Sequence, residues 1–218
     1  MVKRLTDLKN KVITDIYTDN VRSNIFNYNV DTVTRRIYLI APGAAEEDNL
    51  GDHAVDLFMK GMNLLNAIND KPIRLVLNCP GGGVVNGFGI YDSIINSNAP
   101  IDGEAYGIAG SMGAIILQAC RHRAMSKNSV IMIHNIRSGD TSGKEAEALE
   151  KYLEYTKEMQ KRHYRILQSR TGFPTEFWEQ EFGGGKDRFL TAPKALKLDL
   201  IDAIIPEASW RKQIAHER

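Results

Sequence analysis

The stretch "IRLVLNCPGGGVVNGFGIYDSIIN", residues 73–96, decides the fold class of this chain. Its first part, "IRLVL", predicts a buried strand, and the part from residue 84 onward predicts a helix. Three consecutive glycines, Gly81 to Gly83, join the two elements. A glycine-rich turn between a strand and a helix brings backbone N–H groups close to a negatively charged group. The turn therefore indicates a cradle for either a phosphate or an oxyanion.

The same alternation of strand and helix continues along the chain and predicts an α/β fold with largely parallel strands. Strands are predicted at 35–40, 101–110 and 129–134, helices at 52–70, 111–120 and 144–170, and a short strand and helix at "RFL" and "APKALKL", capped by Thr191. The first 34 residues are polar and predict a short strand or an ordered arm. The long helix at 144–170 is charged on most faces, so it should project from the domain unless it packs on a partner.

Composition excludes several classes of function. The 28 Lys and Arg residues balance 27 Asp and Glu residues, so no basic surface for nucleic acid is expected. The longest uncharged stretch, Ala105–Cys120, is shorter than the ~20 residues of a membrane-spanning helix, and the charged N-terminus is not a secretory signal. Cys79 and Cys120 lie far apart, which predicts neither a disulfide nor a zinc site. We expect a soluble, cytoplasmic protein without a metal or a cofactor.

The glycine spacing favours an oxyanion over a phosphate. The dinucleotide fingerprint G-x-G-x-x-G, started at Gly81, requires glycine at position 86, which is Asn86, and no P-loop Lys-Ser or Lys-Thr pair follows. A backbone N–H that approaches a substrate oxygen closely needs glycine, because a side chain would obstruct the approach. An oxyanion site is useful only beside a nucleophile, which predicts a second motif nearby.

The segment "GIAGSMGA", residues 107–114, supplies a candidate nucleophile. Ser111 is predicted between a strand and the first turn of a buried helix, among small residues that would expose its hydroxyl. The helix N-terminus adds free N–H groups and partial positive charge. This is the setting of a nucleophile elbow, although the letters differ from G-x-S-x-G. The alternative is that Ser111 only caps the helix.

A nucleophilic serine needs a base, and His134 is the best placed of five histidines. It ends an apolar strand, where α/β folds carry their active-site groups; the alternative is a buried structural histidine. The other histidines are predicted on surface elements: His53 at a helix start, His122 in a solvated turn, His163 on the charged helix and His216 in a polar tail. The carboxylate that would orient the base stays open among Asp140, Asp187, Asp199 and Asp202.

Four motifs, in this order, resemble the Clp protease proteolytic subunit family. They are "NCPGGGVVNGFGIYDSI" (78–94), "GIAGSMGAIILQA" (107–119), "NSVIMIHN" (128–135) and "KDRFLTAPKALKLDLID" (186–202). The resemblance covers residues 35–206 as a peptidase domain, with 1–34 as a divergent N-terminal arm and 207–218 as a polar tail. It implies the crotonase-like ββα spiral, in which 144–170 is the protruding handle helix.

The resemblance implies a serine endopeptidase. Its nucleophile is Ser111, its base is His134, and its orienting acid is Asp187. The N–H groups of Gly82 and Met112 form the oxyanion hole.

The family also implies how substrate binds and how the chain assembles. A polypeptide substrate lies as an added strand beside Gly83, Val84 and the loop after His134. The subunits form a homo-oligomeric heptameric ring with enclosed active sites, and two rings stack through their handles into a tetradecamer.

Departures from the family pattern point to a specialised member. Cys79 stands where the family usually has serine. Cys79 is interpreted either as a second nucleophile or as a packing residue. Gly83 replaces a usually apolar residue. Residues 183–186, "GGGK", replace charged residues that help the rings register, so stacking is less firmly implied than catalysis.

The surface on which family members dock an ATP-driven (AAA+) unfoldase departs most from the family pattern. Arg74, Val76 and Asn96 occupy positions that are aromatic in family members serving such a partner, and the arm does not resemble the axial-pore segment. We therefore expect no pairing with a standard host unfoldase, as would suit a phage-encoded or otherwise specialised copy. Two other functions stay open: a non-catalytic ring or scaffold subunit, and a crotonase-fold acyl-CoA enzyme, which typically uses carboxylates as acid and base.

Overall fold

The computed structural model describes residues 18–19, 21–40, 50–137, 142 and 145–207. These residues alternate strands and helices around one eight-stranded sheet, which confirms the predicted α/β class. The strands are β1 (Val30–Asp31), β2 (Arg36–Ile40), β3 (Ile73–Cys79), β4 (Ile101–Gly110), β5 (His122–Ser126), β6 (Val130–Ile133), β7 (Arg188–Thr191) and β8 (Ala203–Ile205). The helices are α1 (21–28), α2 (Asp52–Ile68), α3 (Val84–Ile95), α4 (Met112–Ala119), α5 (Ala146–Thr171), α6 (Thr175–Phe182) and α7 (Ala192–Lys197).

The sheet branches at β4. The main order is β1-β2-β3-β4-β5-β8, and β6 pairs with β4 and β7. Strand β4 is long enough to pair with β5 through residues 102–105 and then with β6 through residues 108–110. All pairings are parallel except β1 with β2 and β6 with β7. The carboxyl ends of β3, β4 and β6 therefore lie side by side.

Helix α4 forms the centre of the core. Its residues from Met112 to Gln118 are all buried, as expected for a helix that is apolar all round. It packs against α3, α5 and the strands β3, β4 and β6. Leu75 and Leu77 of β3 are fully buried beneath these helices. This burial holds the residue just before α4, Ser111, at a fixed place above the sheet.

Two elements differ from the sequence expectation. Residues 121–123 were expected as a solvated turn around His122, but β5 begins at His122, and Arg123 is only 4% exposed. The Arg123 guanidinium binds the Asp202 carboxylate, 79 positions away, and donates to Gln118 Oε1, five positions away, at 2.6 Å, so its buried charge is paired. The structure also contains α6, which the sequence pattern did not predict.

Several predictions concern residues outside the described ranges. Residues 1–17 of the predicted arm, Asp140, His216 and the tail from residue 208 all fall there. The boundaries at 35 and 206 stay predictions, although β1 pairs with β2 and so joins the end of the arm to the sheet. Among the described helices, none combines the length and apolar character needed to cross a membrane.

Arg35 offers a test of the packing between α2 and the sheet. It is 7% exposed, and its guanidinium donates to the carbonyls of Leu65 (2.9 Å), Asn69 (2.9 Å) and Lys71 (2.8 Å), which ties the end of α2 to the start of β3. We expect Arg35→Ala to lower the free energy of unfolding by about 2–3 kcal/mol, because buried acceptors lose a charged donor. Urea unfolding monitored by circular dichroism measures the change.

The control is Arg121→Ala. The side chain of Arg121 is 56% exposed in its ion pair with Asp102, so its loss should destabilise the fold far less than the loss of Arg35. Equal destabilisation by the two substitutions would contradict the role assigned to Arg35.

Candidate active site

Three neighbouring strand ends build the candidate site. The glycine loop follows β3, Ser111 follows β4, and His134 follows β6. Because the three strands are parallel and adjacent, their carboxyl ends open at one edge of the sheet, where α/β folds bind ligands. The two motifs that were predicted separately, the glycine loop and the serine turn, are thus brought into contact.

Ser111 occupies a strained turn between β4 and α4. Its backbone φ of 50° and ψ of −120° are rare for a residue with a side chain, at a typical cost of roughly 1–3 kcal/mol. Its N–H donates to the carbonyl of Met132 at 2.7 Å, and its carbonyl accepts from the N–H of Ala114 at 3.0 Å. Although Ser111 is the N-cap residue of α4, its side chain makes no capping hydrogen bond. A role for Ser111 as a helix cap alone therefore does not explain why its hydroxyl is there.

The glycine loop passes so close to Ser111 that side chains are excluded. Gly81 and Gly82 have φ values of 111° and 145°, which disfavour any other residue. A Cβ atom on Gly81 would lie 2.5 Å from the Cβ of Ser111, and one on Gly82 would lie 2.4 Å from the backbone nitrogen of Leu50. Gly83 has an ordinary φ of −53° as the N-cap of α3.

Two backbone N–H groups remain free beside Ser111. Leu50 bridges the loop, since its N–H donates to Gly81 O at 2.9 Å and its carbonyl accepts from Gly83 N–H at 3.2 Å. The Gly82 N–H, between these two bonds, meets no acceptor among the described residues. The Met112 N–H belongs to the first turn of α4 and likewise has no acceptor there. Two unused donors beside a serine hydroxyl are what an oxyanion site requires.

His134 lies in the same cavity as Ser111, but the two side chains are not hydrogen-bonded in this structure. The Nδ1 atom of His134 lies 2.5 Å from the carbonyl oxygen of Asn135. Asp187 accepts two hydrogen bonds from Nη2 of Arg137, at 2.6 and 2.8 Å. The antiparallel pairing of β6 with β7 ends at Ile133 and Arg188, and the next positions in that register are His134 and Asp187. The backbone therefore brings these two residues opposite each other, while the Asp187 carboxylate faces Arg137.

Asp199 and Asp202, the other candidate carboxylates within the described residues, are less suitable as the orienting acid. Burial alone would raise the pKa of Asp202, but hydrogen bonds and the charge of Arg123 outweigh it and hold that pKa below its usual value. Asp202 is therefore a structural partner of β5. Asp199 is exposed at the end of α7 with a φ of 52°, on the polar surface.

A cavity of about 260 Å³ brings Ser111 and His134 together, whereas Asp187 is not part of its lining. Its lining consists of Pro80, Gly81, Gly82, Val84, Ser111, Met112, His134, Ile136, Arg137 and His163. A second cavity of about 310 Å³ continues along Gly83, Val84 and the tyrosines of α5. The sequence predicted most of this lining, since Ile136 and Arg137 belong to the loop after His134, but it missed His163. The available signal for His163 was its position on the apolar side of α5. Elsewhere in the described chain, no cluster of three or more metal-ligating side chains occurs.

Neither cysteine is a second nucleophile. Cys79 and Cys120 are both fully buried. Burial raises the pKa of the Cys79 thiol to about 11 and that of Cys120 to about 12, so both stay protonated at neutral pH. Since the thiolate is the reactive form, both residues serve packing.

Alkylation tests this assignment. We expect iodoacetamide at pH 8 to leave Cys79 and Cys120 unmodified in the folded protein and to modify both after unfolding in urea, as measured by mass spectrometry of peptides. Modification of Cys79 in the folded protein would show that its thiol is accessible and reactive.

Comparison with known proteins identifies the family. The Clp protease family model matches residues 43–208. The chain therefore belongs to the Clp protease family, whose members are peptidases, as the ordered motifs predicted. It is 27% identical over 196 residues to ATP-dependent Clp protease proteolytic subunit 1 of Salinibacter ruber (strain DSM 13855 / M31), a match that covers 78% of this chain and 82% of that protein.

The contact between Gly81 and Ser111 yields a direct test of the site geometry. Gly81→Ala places a methyl group against Ser111 and imposes a strained φ, so we expect the reactivity of Ser111 toward a fluorophosphonate to fall at least about a hundredfold. Gly89→Ala is the matched control, because a Cβ atom on Gly89 of α3 meets nothing within 4 Å. Equal reactivity of the two variants would show that the glycine loop does not shape the serine turn.

Proposed function

We propose that this chain is a serine endopeptidase with Ser111 as nucleophile, His134 as general base and Asp187 as the orienting acid. The observation that carries the proposal is the strained turn at Ser111, which holds an uncapped hydroxyl beside the free N–H groups of Gly82 and Met112 in one cavity. The lining of that cavity contains no carboxylate among the described residues, which argues against the carboxylate chemistry of an acyl-CoA hydratase or isomerase.

The proposed reaction follows from these positions. The substrate carbonyl binds with its oxygen toward Gly82 and Met112, and Ser111 Oγ attacks the carbonyl carbon while His134 accepts the hydroxyl proton. The two N–H groups stabilise the negative oxygen of the tetrahedral intermediate. His134 then donates the proton to the leaving amine as the C–N bond breaks, which leaves an acyl group on Ser111. A water molecule, deprotonated by His134, hydrolyses that ester.

Catalysis requires a modest rearrangement of side chains. The Nδ1–H of His134 must turn from the Asn135 carbonyl to the carboxylate of Asp187, which follows as the partner of His134 when the register of β6 and β7 is extended by one pair. Asp187 must exchange part of its bonding to Arg137. The Arg137 side chain is 68% exposed, and exposed ion pairs contribute only about 0–1 kcal/mol, so their exchange is inexpensive. Catalytic hydrogen bonds commonly tighten only when substrate is bound.

Substrate is proposed to lie as an extended strand between the glycine loop and the segment after His134. Val84, Ile136 and Arg137 line both cavities, so the two cavities form one groove. The Gly83 N–H already donates to Leu50, so Gly83 contributes mainly by allowing close approach.

We propose that the chain works as a homo-oligomeric ring in the cytoplasm, heptameric and stacked as in the family it resembles. Large apolar side chains are exposed on several elements and would be covered by neighbouring subunits: Ile40, Met59, Leu64, Ile68, Ile95, Leu153 and Tyr155. Burial of such surface is the usual drive for association.

We propose further that no standard ATP-driven unfoldase docks on this chain, although the chain is 27% identical to an ATP-dependent Clp protease proteolytic subunit 1. Arg74 of β3 pairs with Glu104 at 3.1 Å, and Asn96 caps α3 by donating to Asp92 O at 2.8 Å. A charged pair and an amide there offer no apolar cleft for a partner loop. Stoichiometric, ATP-dependent capture of such a partner in a pull-down would refute this.

Labelling and turnover together test the peptidase proposal. A fluorophosphonate probe should label Ser111, as mapped by mass spectrometry, and Ser111→Ala should lose the label and about a million-fold in peptide turnover. Asp187→Asn should lower turnover by about 10³–10⁴. The matched control, Asp199→Asn on the exposed end of α7, should act like wild type.

An intact oligomer with neither label nor turnover would instead support the scaffold function. Turnover that survives in Asp187→Asn at the level of Asp199→Asn would remove Asp187 from the mechanism while leaving Ser111 in place.

A further inference from the structure

Arg137 binds the carboxylate that the proposed mechanism assigns to His134. Its Nη2 atom donates to both carboxylate oxygens of Asp187, at 2.6 and 2.8 Å. The two residues are 50 positions apart, and the Arg137 side chain also lines both cavities of the groove. The proposed orienting acid is therefore held by a positive charge at the groove and not by the histidine it would serve.

His134 has a neutral substitute for the acid. Its Nδ1 lies 2.5 Å from the carbonyl oxygen of Asn135. Because a carbonyl can only accept, Nδ1 carries the proton and Nε2 is the bare nitrogen. That tautomer suits a base acting on Ser111, but the carbonyl has no net charge to stabilise the imidazolium that forms in the reaction. The observed arrangement thus keeps the correct tautomer and lacks its counter-charge.

Helix α5 holds this substitute in place. The hydroxyl of Tyr164, a residue only 4% exposed, donates to Asn135 Oδ1 at 2.5 Å. Gln160 Oε1 accepts from the N–H of Ile136 at 2.6 Å. These two bonds fix the segment that carries the Asn135 carbonyl, so the histidine and the acid are each bonded to a different neighbour.

We propose that Arg137 is a latch on the catalytic residues: it holds Asp187 away from His134, and full reactivity of Ser111 requires that the Arg137–Asp187 ion pair open. The inference rests on the proposed peptidase function and adds its regulation. Arg137 is a positioning residue, since it acts only through Asp187. When the register of β6 and β7 is extended by one pair, Asp187 is the partner of His134, so release of the carboxylate calls for side-chain rotation without a shift of the backbone.

The latch is weak enough to open readily. The side chains of Arg137 and Asp187 are 68% and 35% exposed, and exposed ion pairs contribute little and are screened by salt. Loss of the latch should therefore raise the reactivity of Ser111 by about two- to fivefold, and not by orders of magnitude. Salt should open the latch in the wild-type protein for the same reason.

A double-mutant cycle tests whether Arg137 acts through Asp187. The measurement is the second-order rate constant for fluorophosphonate labelling of Ser111. Arg137→Gln removes the charge and should raise this rate by about two- to fivefold. Asp187→Asn should lower the rate, and adding Arg137→Gln to that variant should change nothing further, because no carboxylate is left to release.

Salt gives a second readout that a purely structural role would not produce. Between about 0.01 M and about 1 M salt the screening length falls from ~30 Å to ~3 Å. The wild-type rate should rise toward that of Arg137→Gln, which should not respond. Arg137→Lys should keep the wild-type response, because a single nitrogen makes both contacts and an ammonium can replace it.

The matched control is Arg121→Gln. Arg121 forms an exposed ion pair with both oxygens of Asp102, at 2.9 and 2.7 Å, and lines neither cavity. Its substitution should leave the labelling rate and its salt response as in wild type.

The outcomes separate the latch from the peptidase proposal. A rate of Arg137→Gln at or below that of wild type, the same gain in the Asp187→Asn background, or a wild-type rate that ignores salt would each overturn the latch while Ser111 is still labelled. Absence of label on Ser111 in wild type and in every variant would overturn the peptidase proposal and this inference with it.

Discussion

The close backbone contact between the glycine loop and Ser111 is the constraint on which the site depends. The loop approaches until a Cβ atom on Gly81 would overlap the Ser111 side chain, and Ser111 adopts a φ of 50° to leave β4 and enter α4. Both distortions have a cost, which the burial of α4 and the hydrogen bond from Ser111 N–H to Met132 offset. The result is a hydroxyl and two unbonded N–H groups held at fixed positions before any substrate arrives, which is the preorganisation that electrostatic catalysis needs.

The proposed base and orienting acid are held less firmly than the proposed oxyanion donors. His134 and Asp187 are opposite each other in register, yet each bonds to a different neighbour, Asn135 and Arg137. Arg137 lines both cavities and its side chain is 68% exposed, so the proposed peptide strand could displace it from Asp187. The site thus combines a rigid half, built from the cores of β3, β4 and α4, with an adjustable half on the segment after β6.

Much of this arrangement could be predicted from the sequence, because local patterns encode it. The apolar run of β3, the glycines after it and the small residues around Ser111 are signals that lie within a few residues of each other. The parallel α/β class follows from their repetition. The ordered motifs then indicated Asp187, which spacing alone did not distinguish from three other aspartates.

The remainder depends on partners that are distant in the chain. Strand β5 contains a charged arginine, and the burial of Arg123 depends on its pairing with Asp202, 79 positions away, as well as on the nearby Gln118. His163 was placed on a charged helix, because the sequence does not show that α5 turns that residue toward the cavity of Ser111. The ion pair of Arg137 with Asp187 was equally hidden, since it joins two exposed segments with no local pattern.

A crystal structure of the chain after reaction with a fluorophosphonate tests the central claim most directly. The expected structure has phosphorus bound to Ser111 Oγ, with a phosphoryl oxygen about 2.7–3.1 Å from the backbone nitrogens of both Gly82 and Met112. In the same structure, His134 should have turned from the Asn135 carbonyl toward Asp187. A phosphoryl oxygen that points to solvent, with both N–H groups still unbonded, would show that the glycine loop does not serve an oxyanion.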